Sequence, residues 1–122
     1  MAISPDIAVG FPLAEHINAR WIDRIHSQWV MNYARLALNS GAISERQKHL
    51  YTEYYGRELE RVRRLIRDEA PEIILQANYP AALWLTDALL DGDPSLLEDY
   101  APIAESAAVK VLKLKPLAKT PD

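Results

Sequence analysis

Apolar residues recur at a helical period through the first third of the chain. Leu13, Ile17, Trp21, Ile25, Trp29, Tyr33 and Leu36 follow one another at spacings of four, four, four, four, four and three. That pattern draws one stripe down one side of a helix. Ile22, Val30 and Leu38 widen it. Between 13 and 39 there is neither glycine nor proline. Pro12 fits the first turn, where a missing N–H costs nothing, and Glu15 complements the positive end of the dipole. Asn39-Ser40-Gly41 then marks a stop, with Gly41 suited to the left-handed position that follows a last turn.

A second helical pattern opens at Ser44. Ser44-Glu45-Arg46-Gln47 has capping-box spacing. Leu50, Tyr51, Tyr54, Tyr55, Leu59, Val62, Leu65 and Ile66 continue the period up to about Glu69, where Pro71 ends it. Gly56 weakens the middle of this helix, or gives room for its neighbour to come close. The connection 40–43 is short, so the two helices should pack antiparallel as one αα-hairpin over residues 13–69.

The flanking segments are less regular. Residues 1–12, with two prolines and a glycine, read as an irregular lead-in. After Pro71 the expectation is a short helix to about Ala77 and another at 81–90. Asp91-Gly92-Asp93-Pro94 forms a turn, and a last helix capped by Ser95 runs to Ala108 or Leu112. Residues 113–122 read as a flexible basic tail. The predicted fold is therefore all-α. It is one bundle-like helical domain over 1–122, a long antiparallel hairpin with two or three shorter helices over 71–112.

Composition narrows the class. With 122 residues, 49% of them hydrophobic and 25% charged, the chain suits one folded domain. It has no cysteine, which removes disulfides, thiolate chemistry and all-cysteine metal sites. Net charge is −3, against a strongly basic nucleic-acid-binding domain. Residues 1–10 lack a positive start, and no apolar run is long enough to span a bilayer, so the expected location is the cytoplasm, away from membranes.

Charge is uneven. Residues 70–109 carry seven acidic side chains and no basic one, whereas 110–122 carry four lysines and one aspartate. In the second helix acids and bases interleave, with Glu53–Arg57 and Glu60–Arg64 at the favourable i,i+4 spacing. The bland interpretation is a solvated, salt-bridged face. The sharper one takes Arg57, Arg61 and Arg64 as a face that grips phosphates or an acidic partner.

Candidate chemistry is sparse. Asp23 and His26, with His49 and Glu53, give two carboxylate–imidazole pairs that could hold a metal. In one antiparallel hairpin, however, they sit ~15 Å apart along the axis, so ordinary surface histidines are favoured over a metal site. Asp87 to Glu98 overlaps a calcium-loop pattern, but Leu89 and Pro94 occupy positions where that loop needs an oxygen donor and a pairing residue. No cofactor is expected, and no nucleophile–base pair stands out.

The aromatic residues are more informative. Trp21, Trp29 and Trp84 are expected in the core. Tyr51, Tyr54 and Tyr55 fan across ~100° of their helix, more than one narrow neighbour covers, so at least one should face a partner. Both stripes are wider than one antiparallel neighbour covers, which predicts a homodimer using the outer face of the hairpin. The sequence thus points to a small non-enzymatic helical interaction or regulatory adaptor module that binds a second copy or another protein. The alternative is a nucleic-acid-associated subunit working through the arginine face, and a metal-dependent enzyme comes third.

Overall fold

The structure is a computed structural model, and it describes residues 1–5 and 28–116. It contains strand β1 (Ala2–Ile3), helix α1 (Trp29–Ser40) and helix α2 (Glu45–Glu69). Strand β2 (Ile73–Ala77) follows, then a single 3-10 turn (Pro80–Ala82) and helix α3 (Leu83–Gly92). Strands β3 (Tyr100–Glu105) and β4 (Val109–Leu114) complete the described chain. The fold is mixed α/β, and the described residues form three helices and one four-stranded sheet in the order β1-β2-β4-β3. The expected all-α bundle is overturned by that sheet, and with it the helical adaptor that the bundle implied.

The hairpin boundaries follow from local chemistry. Gly41 takes the left-handed conformation (φ 67°) that ends α1. Gln47 N–H donates to Ser44 Oγ at 3.2 Å, and Ser44 N–H donates to Gln47 Oε1 at 3.0 Å, completing the capping box of α2. At the other end Ala70 adopts φ 41°, and its N–H closes the helix on Ile66 O at 3.1 Å. The part of the first predicted helix before Gln28, together with Trp21, Asp23 and His26, lies outside the described residues.

Three predicted segments differ. Residues 73–77 form a strand, not a helix. Ile73-Ile74-Leu75-Gln76-Ala77 pairs on both sides, parallel to β1 and antiparallel to β4. Residues 74–77 are buried, and a strand covered on both faces reads as a near-continuous apolar run, here broken by Gln76 alone. The helix expected after Ser95 is instead the hairpin β3–β4. Ser106 closes its turn. Its N–H donates to Val109 O at 2.9 Å, and its Oγ accepts the N–H groups of Ala108 and Val109 at 3.2 and 3.1 Å. Pro102 is tolerated because β3 is an edge strand whose register shifts between Pro102 and Ala104. Lys113 and Leu114, expected in the tail, belong to β4. Within the expected lead-in, Ala2–Ile3 joins the sheet.

The core lies between one face of the sheet and the helices. Ile3, Ile74 and Leu112 meet Val62 and Ile66 of α2, Leu85 and Leu89 of α3, and Met31 of α1. Gln76 Nε2 donates to Thr86 Oγ1 at 3.0 Å, fixing β2 under α3. Tyr100 OH donates to Pro71 O at 2.7 Å, tying β3 to the start of β2. Gln28 anchors α1 to the edge of the sheet. Its backbone N–H donates to Ser4 O at 2.8 Å, its Oε1 accepts Ser4 N–H at 2.9 Å, and its Nε2 donates to Ala2 O at 3.3 Å. These bonds fix where Trp29 and the helix behind it begin.

Candidate functional site

Helix α1 carries apolar residues on two opposite faces. Met31, Ala34 and Leu38 follow at i, i+3 and i+7. Met31 and Ala34 are buried at 1% and 2% exposure. Roughly 160° around the helix, Trp29, Tyr33 and Leu36 follow at i, i+4 and i+7. These are 55%, 62% and 54% exposed. The stripe read as inward from the sequence is thus the outward one on α1, and Trp29 is on the surface rather than in the core. The inward stripe is built from smaller and more flexible residues that suit a close helix contact.

Helix α2 extends this face. The Tyr33 and Tyr51 rings meet edge to face, 6.3 Å between centroids and 87° between planes, a favoured aromatic geometry. Leu50, one residue before Tyr51, is 53% exposed. Val30 flanks the patch at the edge of exposure. Arg35 is the single charged residue of α1, and it is not on the exposed stripe. Its guanidinium carbon lies 4.4 Å from the centroid of the Trp84 ring, a cation–π contact worth ~0.5–2 kcal/mol. The outward face of α1 is therefore apolar, aromatic and uncharged.

Beneath the hairpin lies a half-buried aromatic and polar cluster. Tyr55 stacks on Trp84 with 6.3 Å between centroids and 25° between planes. Burial pushes the Tyr55 hydroxyl above its ordinary pKa, and the Arg35 charge opposes part of that rise. Arg61 Nε donates to both carboxylate oxygens of the buried Glu58, at 3.2 and 3.0 Å. This pair links one turn of α2 to the next and gives a charge that would be costly alone its counter-ion.

The sequence candidates separate on this frame. Tyr51 belongs to the exposed face through Tyr33. Tyr54 is half-buried, and Tyr55 turns inward to Trp84. Arg57 and Arg64 are exposed, and Arg64 Nε is 3.9 Å from Glu60 Oε1. Arg61 is folded onto Glu58, so Arg57, Arg61 and Arg64 do not form one basic face. Arg63 serves the fold instead. Its Nε and Nη2 donate to Leu89 O at 3.0 Å and Ala88 O at 2.9 Å, capping the last turns of α3. Arg67 pairs with Asp93 beyond α3. Gly56 faces open space, and a Cβ there would meet nothing within 4 Å, so it does not serve a close helix approach.

His49 and Glu53 are exposed and 3.8 Å apart. Among the described residues no group of three His, Cys, Asp or Glu side chains could hold a metal ion. Asp87 and Asp91 lie inside α3 rather than in a loop, which removes the geometry of a calcium loop there. A cleft of about 250 Å³ lies between the end of α2, residues 93–99 and the end of β4. It contains Asp93, Glu98, Asp99 and Tyr100. Asp93 is paired with Arg67, and Lys115 Nζ donates to Glu98 O at 2.8 Å.

No family model matches the chain, and no curated protein and no solved structure matches it. Fold alone does not assign a function. The most distinctive surface that the described residues build is the exposed face of α1 and the start of α2. Sequence reasoning reached its Tyr51 but missed Trp29 and Tyr33. The available signal was α1 itself, in which Arg35 is the only charge among twelve residues. No described helix is long and apolar enough to cross a membrane.

Proposed function

We propose that this α/β domain works by association, with the α1–α2 face as its docking surface and the sheet with α3 as the scaffold that presents it. The observation that carries this reading is the double-sided character of α1. A helix that is apolar on both sides is ordinarily covered on both sides. In this chain Met31 and Ala34 are covered, whereas Trp29, Tyr33 and Leu36 are not. Exposed Trp and Tyr on a helix stripe that itself holds no charge match the centre of a protein interface, which is rich in aromatic residues and poor in carboxylates and lysines. Tyr33 and Tyr51 brace each other edge to face, so the surface is pre-shaped and loses little side-chain freedom on docking.

The reading is tested by separating surface from core. The double variant Tyr33→Glu/Leu36→Lys, at high dilution, should keep its helix content and lose no more than ~1 kcal/mol of stability, since exposed substitutions stay within about 0.5 kcal/mol each. It should also lose most of the native protein's binding of an apolar fluorescent dye. A loss of several kcal/mol would show that the face is packed by its own chain and would overturn the reading.

A further inference from the structure

Resting on the reading of this face as a docking surface, we infer that its occupant is a second copy of this chain, packed α1 against α1, antiparallel, about a two-fold axis beside Tyr33. The positions of the exposed residues carry the geometry. Trp29 lies four residues before Tyr33 and Leu36 three after it. A two-fold axis at Tyr33 therefore sets Trp29 of each copy against Leu36 and Ala37 of the other, a large ring against smaller side chains. Tyr33 meets its own symmetry mate. The contact is self-complementary, as an isologous interface must be.

Charge permits it. Two identical charged surfaces repel, but the outward stripe of α1 holds no ionised group, and Arg35 is engaged with Trp84. The flanking first turns of α2 carry both signs, Glu45 and Glu53 with Arg46 and Lys48, so the rim is mixed rather than like-charged. Area also suits a second copy. The exposed parts of Trp29, Tyr33, Leu36, Leu50 and Val30 amount to roughly 500 Å² per copy. A stable interface needs about 800 Å² from each side with a polar rim, and Asn32, Asn39 and Gln47 are placed to supply that rim.

Because the chain has no cysteine, a single introduced thiol reports one position. In the full chain, oxidised at micromolar concentration, Tyr33→Cys should link to itself. A mixture of Trp29→Cys and Leu36→Cys should give more of the mixed dimer than of either self-linked product, and Ile103→Cys on the exposed edge strand should stay single. Sedimentation equilibrium should show the unmodified chain as a dimer, with Tyr33→Glu weakening the association about ten-fold or more. A 13.8 kDa species throughout, with Tyr33→Cys unlinked, would overturn the second copy. The docking reading would still stand if the dye-binding result holds, because that test is made on the dilute single chain. Self-linking of Trp29→Cys in preference to the mixed product would overturn the antiparallel geometry.

Discussion

The two halves of α2 have the same secondary structure and opposite surroundings. From 58 to 66 the helix buries Glu58, Val62 and Ile66, the last two in the core shared with the sheet and α3. From 45 to 57 every residue is exposed except the half-buried Tyr51, Tyr54 and Tyr55. Length explains the contrast. Twenty-five residues make a helix of ~37 Å, whereas strands of five or six residues span only ~17–20 Å. The sheet can cover about half of α2, and α1 covers part of the remainder while exposing its own far side. One half of the molecule is a packed α/β core, and the other is a helical hairpin whose outer surface leaves Trp29, Tyr33, Leu36 and Leu50 exposed. Helical periodicity specifies an element, and the length of what lies beneath it decides which stretch becomes core.

The contrast is broken most directly by truncating one leucine in each half. Leu85 has no exposed surface, and Leu85→Ala should cost ~2–5 kcal/mol in chemical denaturation. Leu50→Ala should cost no more than ~0.5 kcal/mol beyond any effect on association. Comparable losses at both positions would erase the distinction between core and docking face.

A smaller effect is expected where α2 holds α3. A Cβ on Gly92 would come within 2.4 Å of the Arg63 guanidinium that caps α3. Gly92→Ala should therefore cost ~1–3 kcal/mol by displacing those charged hydrogen bonds. Its cost should fall sharply in an Arg63→Met background, where the clash is gone. Additive losses in that double-mutant cycle would refute the link.

High pH probes both halves through one side chain each. Burial raises the Tyr55 and Tyr100 hydroxyls above 10.0, with the Asp99 charge adding to the rise at Tyr100. The unfolded chain releases these protons first. Their contribution to stability is therefore complete below pH 10 and is lost as pH rises through the folded-state values. Denaturation midpoints should decline above pH 10, and Tyr55→Phe and Tyr100→Phe should each flatten that decline. An unchanged slope in either variant would contradict its burial.

The smallest expected effect is a gain. Gly56→Ala fills open space in mid-helix and should stabilise the protein by ~0.5–1 kcal/mol. A loss would mean that something approaches Gly56 closely, which would move the docking surface along α2.

Much of the hairpin was legible in the sequence because caps are local chemistry. Ser44, Gln47 and Gly41 announce the ends of α1 and α2 in a few residues each. The strands were not legible for equally local reasons. The Ile73–Ala77 run, covered on both faces, has no alternation that separates it from a buried helix turn. The β3–β4 turn is Ser-Ala-Ala, without the Gly, Asn or Pro that usually marks a hairpin, and Pro102 disguises an edge strand. The exposed face was half-legible. The stripe through Trp29, Tyr33 and Leu36 is plain in the pattern, but a stripe looks the same whether its own chain or another covers it. Tyr55 went inward and Tyr33 outward because Trp84 and Arg35 lie on one side of the hairpin only, a tertiary fact with no trace in spacing.

Residue-resolved amide hydrogen exchange across a range of protein concentrations tests the two-part account most directly, because it reads local opening in each half separately. Amides of β2, β4 and residues 58–66 should exchange through global unfolding and respond to concentration only as the whole molecule does. Amides of α1 should be weakly protected in dilute protein and gain protection as concentration rises. Protection of α1 equal to that of β2 at every concentration would place the hairpin inside the same cooperative core and contradict the account.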